Sequence, residues 1–104
     1  MTWTAADEVA ILWAEHSGLT FPDGMGGLDA PSGESLAALD TYMAGCIQAY
    51  LVSGTLDARR HRILRSCAEQ LGGVRPQLSG KDSDYVSRLL KMAELIDTNV
   101  TAPS

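Results

Sequence analysis

The segment from about Gly33 to Ser53 constrains the fold more than any other part of the sequence. Apolar side chains recur along it at three-and-four spacing, which predicts a helix with a buried stripe. Its opposite side is also small or apolar, and only Glu34, in the first turn, is charged there. Because a helix without a polar side is normally buried on more than one side, this segment is predicted to be the central helix. The stripe consists of Leu36, Leu39, Met43, Cys46, Ile47 and Tyr50, and the opposite side of Ala38, Thr41, Gly45, Ala49 and Val52.

Three further segments carry the same helical periodicity, and none shows the alternation of a strand. The 104 residues are enough for one domain with its own core. The stretch 18–33, which ends at the first residue of the second predicted helix, holds five of the ten glycines and two of the four prolines. The sequence therefore predicts an all-α single domain, 1–104, built as a small antiparallel bundle of four helices with a long Gly-rich loop. The predicted helices span 5–17, 33–53, 57–71 and 82–97, and the loop spans 18–32.

Local signals set the predicted ends of the helices. Thr4 and Asp7 form a capping box before the first helix, and Gly18 ends it. The pair Gly72-Gly73 is predicted to end the third helix after Leu71. The second helix ends before Gly54.

Charge is distributed unevenly along the chain. Residues 1–56 hold seven acidic and no basic side chains, a net charge of −7, whereas 57–104 hold eight basic and six acidic ones, a net of +2. Either the acidic half folds against the basic third helix, or it presents an acidic surface to a basic protein partner. The candidate partner-binding residues are Asp7, Glu8, Ile11, Glu15, Asp23 and Asp29.

The basic segment "RRHRILRSCAEQL", 59–71, allows a second functional hypothesis. Arg59, Arg62 and Arg65 spread over the side opposite the apolar arc, as on a solvated helix; the alternative is a basic patch that contacts nucleic acid or phosphates. The net charge of −5 argues against nucleic acid. The segment resembles the opening helix of tetracycline-repressor-type regulators, in which a helix-turn-helix follows directly. Here Pro76 stands where the next helix should build, so the chain is not assigned to that family.

Residues for catalysis or metal binding are sparse. The two histidines and two cysteines have no metal-ligand spacing, and His16 is predicted to lie on the inner side of the first helix. Cys46 and Cys67 are predicted to be too far apart to bridge and to act as small core residues. The stretch "GMGG" around Met25 is predicted to be a flexible turn. The expectation is a protein that is not an enzyme and has no cofactor.

The sequence also predicts one ion pair, a dimer interface and a cellular location. Arg60 is predicted to pair with Asp97 or Glu94. A homodimer is predicted with the second helix or the first at its centre, and the candidate interface residues on the second helix are Thr41, Gly45 and Ala49. The sequence begins without the basic and apolar regions of a signal peptide and has no membrane-length apolar run, so a cytoplasmic location without membrane contact is expected.

Overall fold

The computed structural model describes residues 3–101, and it contains four helices packed against each other. The predicted all-helical class is confirmed, since the described residues contain no strand beyond one isolated bridge. The helices are α1 (Ala5–Ser17), α2 (Leu36–Ser53), α3 (Ala58–Val74) and α4 (Gly80–Thr101).

Three helices begin at side-chain caps. The capping box of α1 is confirmed, because Asp7 N donates to Thr4 Oγ1 at 3.1 Å and Thr4 N donates to Asp7 Oδ2 at 3.0 Å. Ser35 caps α2 and Asp57 caps α3, each accepting from a backbone N–H three residues ahead. Gly54, at φ 79°, takes the left-handed conformation that ends α2.

Several predicted helix ends differ from the structure. Helix α4 spans 80–101 rather than 82–97, and one end each of α3 and α2 differs for tertiary reasons. Helix α3 continues through Gly72 and Gly73, because Val74 beyond them is buried in the core. Its burial outweighs the roughly 1 kcal/mol by which each glycine disfavours a helix interior. Helix α2 begins three residues later than predicted, because Asp29 and Ser35 form a bridge before it.

The segment between α1 and α2 is more ordered than the sequence predicts. It contains a 3₁₀ turn, Asp23–Met25, and Met25 is only 1% exposed within the core. Gly24 lies so close to α4 that a Cβ there would come within 2.9 Å of Asp82 Oδ2. The prediction that "GMGG" is a flexible turn is therefore wrong at Met25, which packs as a core residue.

Helix α4 organises the packing. It contacts each of the other three helices. Helix α1 packs more extensively against α4 than against α2, and the most extensive contact of α2 is with α3. Two hydrogen bonds between side chains tie α4 to α2: Tyr85 Oη donates to Asp40 Oδ1 at 2.9 Å, and Asn99 Nδ2 donates to Tyr50 Oη at 2.8 Å. The largest of the fully buried side chains are Val9, Met25, Leu36, Leu39, Met43, Ile47, Tyr50, Leu64, Leu71, Leu89, Met92 and Ile96.

Candidate functional site

An acidic surface, defined here as Asp7, Glu8, Ile11, Glu15, Asp23 and Asp29, is exposed at every one of its positions. Its first four residues lie within about 100° of one another around α1 at 100° per residue. Val9 and His16 of the same helix face the core. Asp23 begins the 3₁₀ turn and Asp29 forms the bridge with Ser35, so these two belong to the segment after α1 rather than to its exposed side.

No ion pair joins the two halves of the chain within residues 3–101. The pairs in that range are Arg60–Asp57, His61–Asp97 and Arg65–Asp97, and all lie in 57–104. Helix α2 of the acidic half does pack against the basic helix α3, but no ion pair in residues 3–101 joins them. Glu34 lines the same groove as Arg59 and Arg62 but does not pair with either.

Asp7 has a structural role besides its place on the acidic surface. The hydrogen bonds from the backbone and the side chain of Thr4 hold the pKa of its carboxyl below the ordinary value. The carboxylate also stands at the positive end of the α1 dipole. Glu8, Ile11 and Glu15 are consequently the residues of this helix surface with no part in capping.

The structure divides the predicted basic patch. Arg59 and Arg62 line a groove between α2 and α3, next to the exposed side chains of Tyr42 and Ile63. Arg65 lies on the α4 side instead, with its Nε 3.7 Å from Asp97 Oδ1. Only two of the three arginines can therefore contact one ligand in that groove.

The predicted pairing of Arg60 with Asp97 or Glu94 is wrong. Arg60 Nη1 lies 2.5 Å from Asp57 Oδ2, and His61 Nε2 lies 2.5 Å from Asp97 Oδ1. One residue along a helix turns the side chain by about 100°, so His61 faces α4 where Arg60 was expected. Arg60 instead folds back on the carboxylate that caps its own helix.

The predicted dimer row lies mostly on the outside of the molecule. Thr41 and Gly45 are exposed, and Ala49 is half-buried against the core. A Cβ at Gly45 would meet open space, so no other helix approaches it within the chain. Val52, one turn further on, is 89% exposed. Helix α2 is therefore central on one side only.

A buried polar cluster lies where α1, α2 and α4 meet. The ring of His16 lies 4.3 Å from that of Tyr85 between centroids, and Tyr85 in turn bonds to Asp40. Within the described residues, both ring nitrogens of His16 and Nη1 of Arg88 are buried without a hydrogen-bond partner. The inner position predicted for His16 is confirmed. The other members were not predicted, because Asp40 lies 24 residues and Tyr85 lies 69 residues from His16 along the chain.

Burial governs the proton affinities in this cluster. It lowers the pKa of His16 to about 4, and the charge of Arg88 acts in the same direction. Burial also raises the pKa of Asp40, although the hydrogen bond from Tyr85 lowers it in part. It raises the pKa of the Tyr85 hydroxyl as well. Neutral His16 beside charged Arg88 is the favoured state at neutral pH.

The two cysteines are free and buried, which confirms their predicted place in the core. Burial raises the pKa of Cys67 to about 11, so its thiol is protonated at neutral pH and unreactive. Cys46 Sγ lies 3.5 Å from the carbonyl oxygen of Arg60. Over residues 3–101, no three His, Cys, Asp or Glu side chains come together in a way that would hold a metal ion.

The comparisons with protein-family models, curated proteins and solved structures found no match to this chain. In the described part of the chain, no helix combines the length and the apolar character needed to cross a membrane.

Proposed function

We propose that this chain is a non-enzymatic interaction protein, of the adaptor, inhibitor or immunity-like kind, whose acidic surface binds a basic protein partner. One observation carries the proposal. The carboxylates of that surface are exposed and form no ion pair within residues 3–101. Their field is therefore available to an outside cation.

The surface combines charge with an apolar centre. Ile11 is 47% exposed and stands between Asp7 and Glu15, four residues from each. Exposed carboxylates accelerate the association with a basic partner and make binding specific for partners of complementary charge. The apolar side chain between them supplies area that leaves water on binding. This arrangement suits recognition of a protein surface rather than a reaction.

Charge reversal on α1 tests the acidic surface. The double variant Glu8→Lys/Glu15→Lys should capture the basic partner from a cell extract at least roughly tenfold less than the wild type, since two attractive contacts become repulsive. Quantitative mass spectrometry of proteins retained by the tagged chain gives the measurement. The matched control is Glu69→Lys/Glu94→Lys, which changes the net charge equally on α3 and α4.

The pattern of loss decides the outcome. Proteins of high pI retained by the wild type and the control, but lost from the α1 variant, support the proposal. Equal retention by all three chains, or equal loss from both variants, contradicts it.

The alternative function is contact with nucleic acid or phosphates through Arg59, Arg62 and Arg65. The two arginines beside Tyr42 favour it, and the pairing of Arg65 with Asp97 weakens it. Retention on heparin or DNA resin that falls steeply with salt would support this alternative over the acidic surface.

We also infer a homodimer through the exposed side of α2. The helices are taken to run antiparallel, because only four residues connect α2 to α3. Since α1 packs chiefly on α4, it leaves Thr41, Gly45 and Val52 uncovered. A second copy that places the same side of α2 there would cover this uncharged surface around a two-fold axis.

The Gly45→Glu variant tests this interface. The wild type is expected to dimerise with a Kd of about 10 µM or tighter, and the variant to be monomeric up to about 100 µM, because the change places a charge where the helices would approach. Sedimentation measures the mass. Gly72→Glu, at an exposed and uncrowded glycine of α3, is the control and should stay dimeric. A monomeric wild type, or a dimer that survives Gly45→Glu, rejects the interface.

We place the protein in the cytoplasm. Both thiols are free, which fits a reducing compartment.

A further inference from the structure

A cleft of about 360 Å³ opens between the segment after α1 and the first half of α4. Its size is at the lower end of the range for small-molecule sites. Apolar atoms predominate in its lining, and two cations stand at its edge with one carboxylate. The side chains are Leu19, Pro22 and Tyr85 on the apolar side, and Lys81, Asp84 and Arg88 on the charged side.

Arg88 is held in this cleft without an anion. Its Nη1 is buried and has no hydrogen-bond partner, and it forms no ion pair within residues 3–101. Asp84, one turn earlier on α4, is exposed and does not pair with it. A buried guanidinium N–H without an acceptor lowers the stability of a fold. Arg88 is therefore not placed here because it stabilises the folded chain.

The side chains next to Arg88 also leave polar atoms without hydrogen-bond partners. His16, only 3% exposed, lies against Tyr85, which is itself a wall of the cleft, and both ring nitrogens of His16 are unpartnered. The charge of Arg88 reaches that ring. In a chain with a net charge of −5, this cleft carries two cations for one carboxylate. Its charge therefore favours an anion, and its walls favour an apolar group.

We propose that the cleft binds a small carboxylate with an apolar body. The carboxylate accepts hydrogen bonds from Lys81 and from Nε and Nη2 of Arg88, the guanidinium nitrogens that, unlike Nη1, are not enclosed, and the body lies against Leu19, Pro22 and Tyr85. A guanidinium suits this group because its N–H donors match the two carboxylate oxygens. The site is independent of the acidic surface on α1.

Calorimetric titration of the whole chain with benzoate tests the site. Benzoate is expected to bind with a Kd on the order of 1 mM or tighter, as befits a ligand of nine heavy atoms. Benzamide, which has the same shape without the charge, and inorganic phosphate, which lacks the apolar body, should each bind roughly tenfold more weakly.

Two variants locate the binding. Arg88→Met should weaken benzoate roughly tenfold or more, because it removes a charge-assisted hydrogen bond. It should also melt at the same temperature as the wild type or higher, because it removes a buried donor without a partner. Lys81→Gln, at an exposed position, should weaken benzoate less, and Arg62→Gln, on the groove between α2 and α3, should leave it unchanged.

A spectroscopic readout separates binding in the cleft from binding elsewhere. Bound benzoate offsets the charge of Arg88, so the ring resonances of His16 should titrate at higher pH in its presence. Arg88, Asp40 and Tyr85 are the other titratable or charged groups in this cluster, and only Arg88 would contact the ligand. Absence of saturable benzoate binding up to about 10 mM, equal binding of benzamide or phosphate, or unchanged binding by Arg88→Met would each overturn the proposal.

Discussion

The Met25→Ala variant is expected to have a free energy of unfolding about 2–5 kcal/mol below that of the wild type. Met25 lies in a Gly-rich segment where a sequence pattern suggests no structure, yet its side chain is 1% exposed within the core cluster. Truncation removes that buried surface and leaves a cavity, since the 3₁₀ turn that ends at Met25 and the hydrogen bond from Leu28 N to Met25 O fix the backbone on its two sides. Urea denaturation followed by circular dichroism measures the change.

Leu28→Ala is the control for this prediction. Leu28 belongs to the same segment but is 40% exposed, so its truncation should cost less than about 1 kcal/mol. A loss for Met25→Ala as small as that expected for Leu28→Ala would mean that Met25 is not a core residue.

Acid should destabilise the wild type more than a variant that lacks His16. The ring of His16 is neutral in the folded chain, because burial and the charge of Arg88 lower its pKa from 6.5 to about 4. Between these two values the unfolded chain binds the extra proton, so the free energy of unfolding falls as the pH falls from about 6.5 to about 4. Below about pH 4 both states are protonated and this contribution no longer changes.

The size of the effect follows from the two pKa values. Their difference corresponds to about 3 kcal/mol at 1.36 kcal/mol per pKa unit. His16→Phe keeps a ring against Tyr85 and cannot be protonated, so the difference between wild type and variant isolates the histidine. Asp40, whose raised pKa acts in the opposite direction, is present in both chains and cancels.

Denaturation at a series of pH values measures this difference. The gap between the two chains should change by about 3 kcal/mol from pH 7 to pH 4, in favour of His16→Phe at low pH. A gap that stays constant over this range would show that His16 is hydrated and titrates normally in the folded chain.

Local signals predicted the elements that depend on neighbours in sequence. The capping box of Thr4 and Asp7 and the C-terminal Gly54 act within one helical turn, so the sequence displays both partners together. The end of α3 depends instead on what surrounds Val74, and the order of the segment around Met25 depends on α4 nearby. Neither environment is visible in a linear pattern.

The same distinction applies to the candidate sites. The acidic surface was predictable, because seven acids without a cation in 56 residues must leave some carboxylates exposed. The cluster around His16 was not, since Tyr85 and Asp40 are 45 residues apart and meet only when α2 and α4 pack. The position of Asp97 opposite α3 was predicted correctly to within one residue. Its partner is His61 rather than Arg60, because one residue along the helix turns the side chain toward α4.

The pairing of α1 with α4 has a consequence for the order of folding. These two helices are the furthest apart along the chain, with α2 and α3 between them. The contacts of α2 with α3 and of α3 with α4 span short connections, and such local contacts form first. Joining α1 to α4 must close a much longer loop, whose entropy opposes it. We therefore expect α1 to dock last and to detach most readily. A partner that binds the outer side of docked α1 would then also stabilise the folded state.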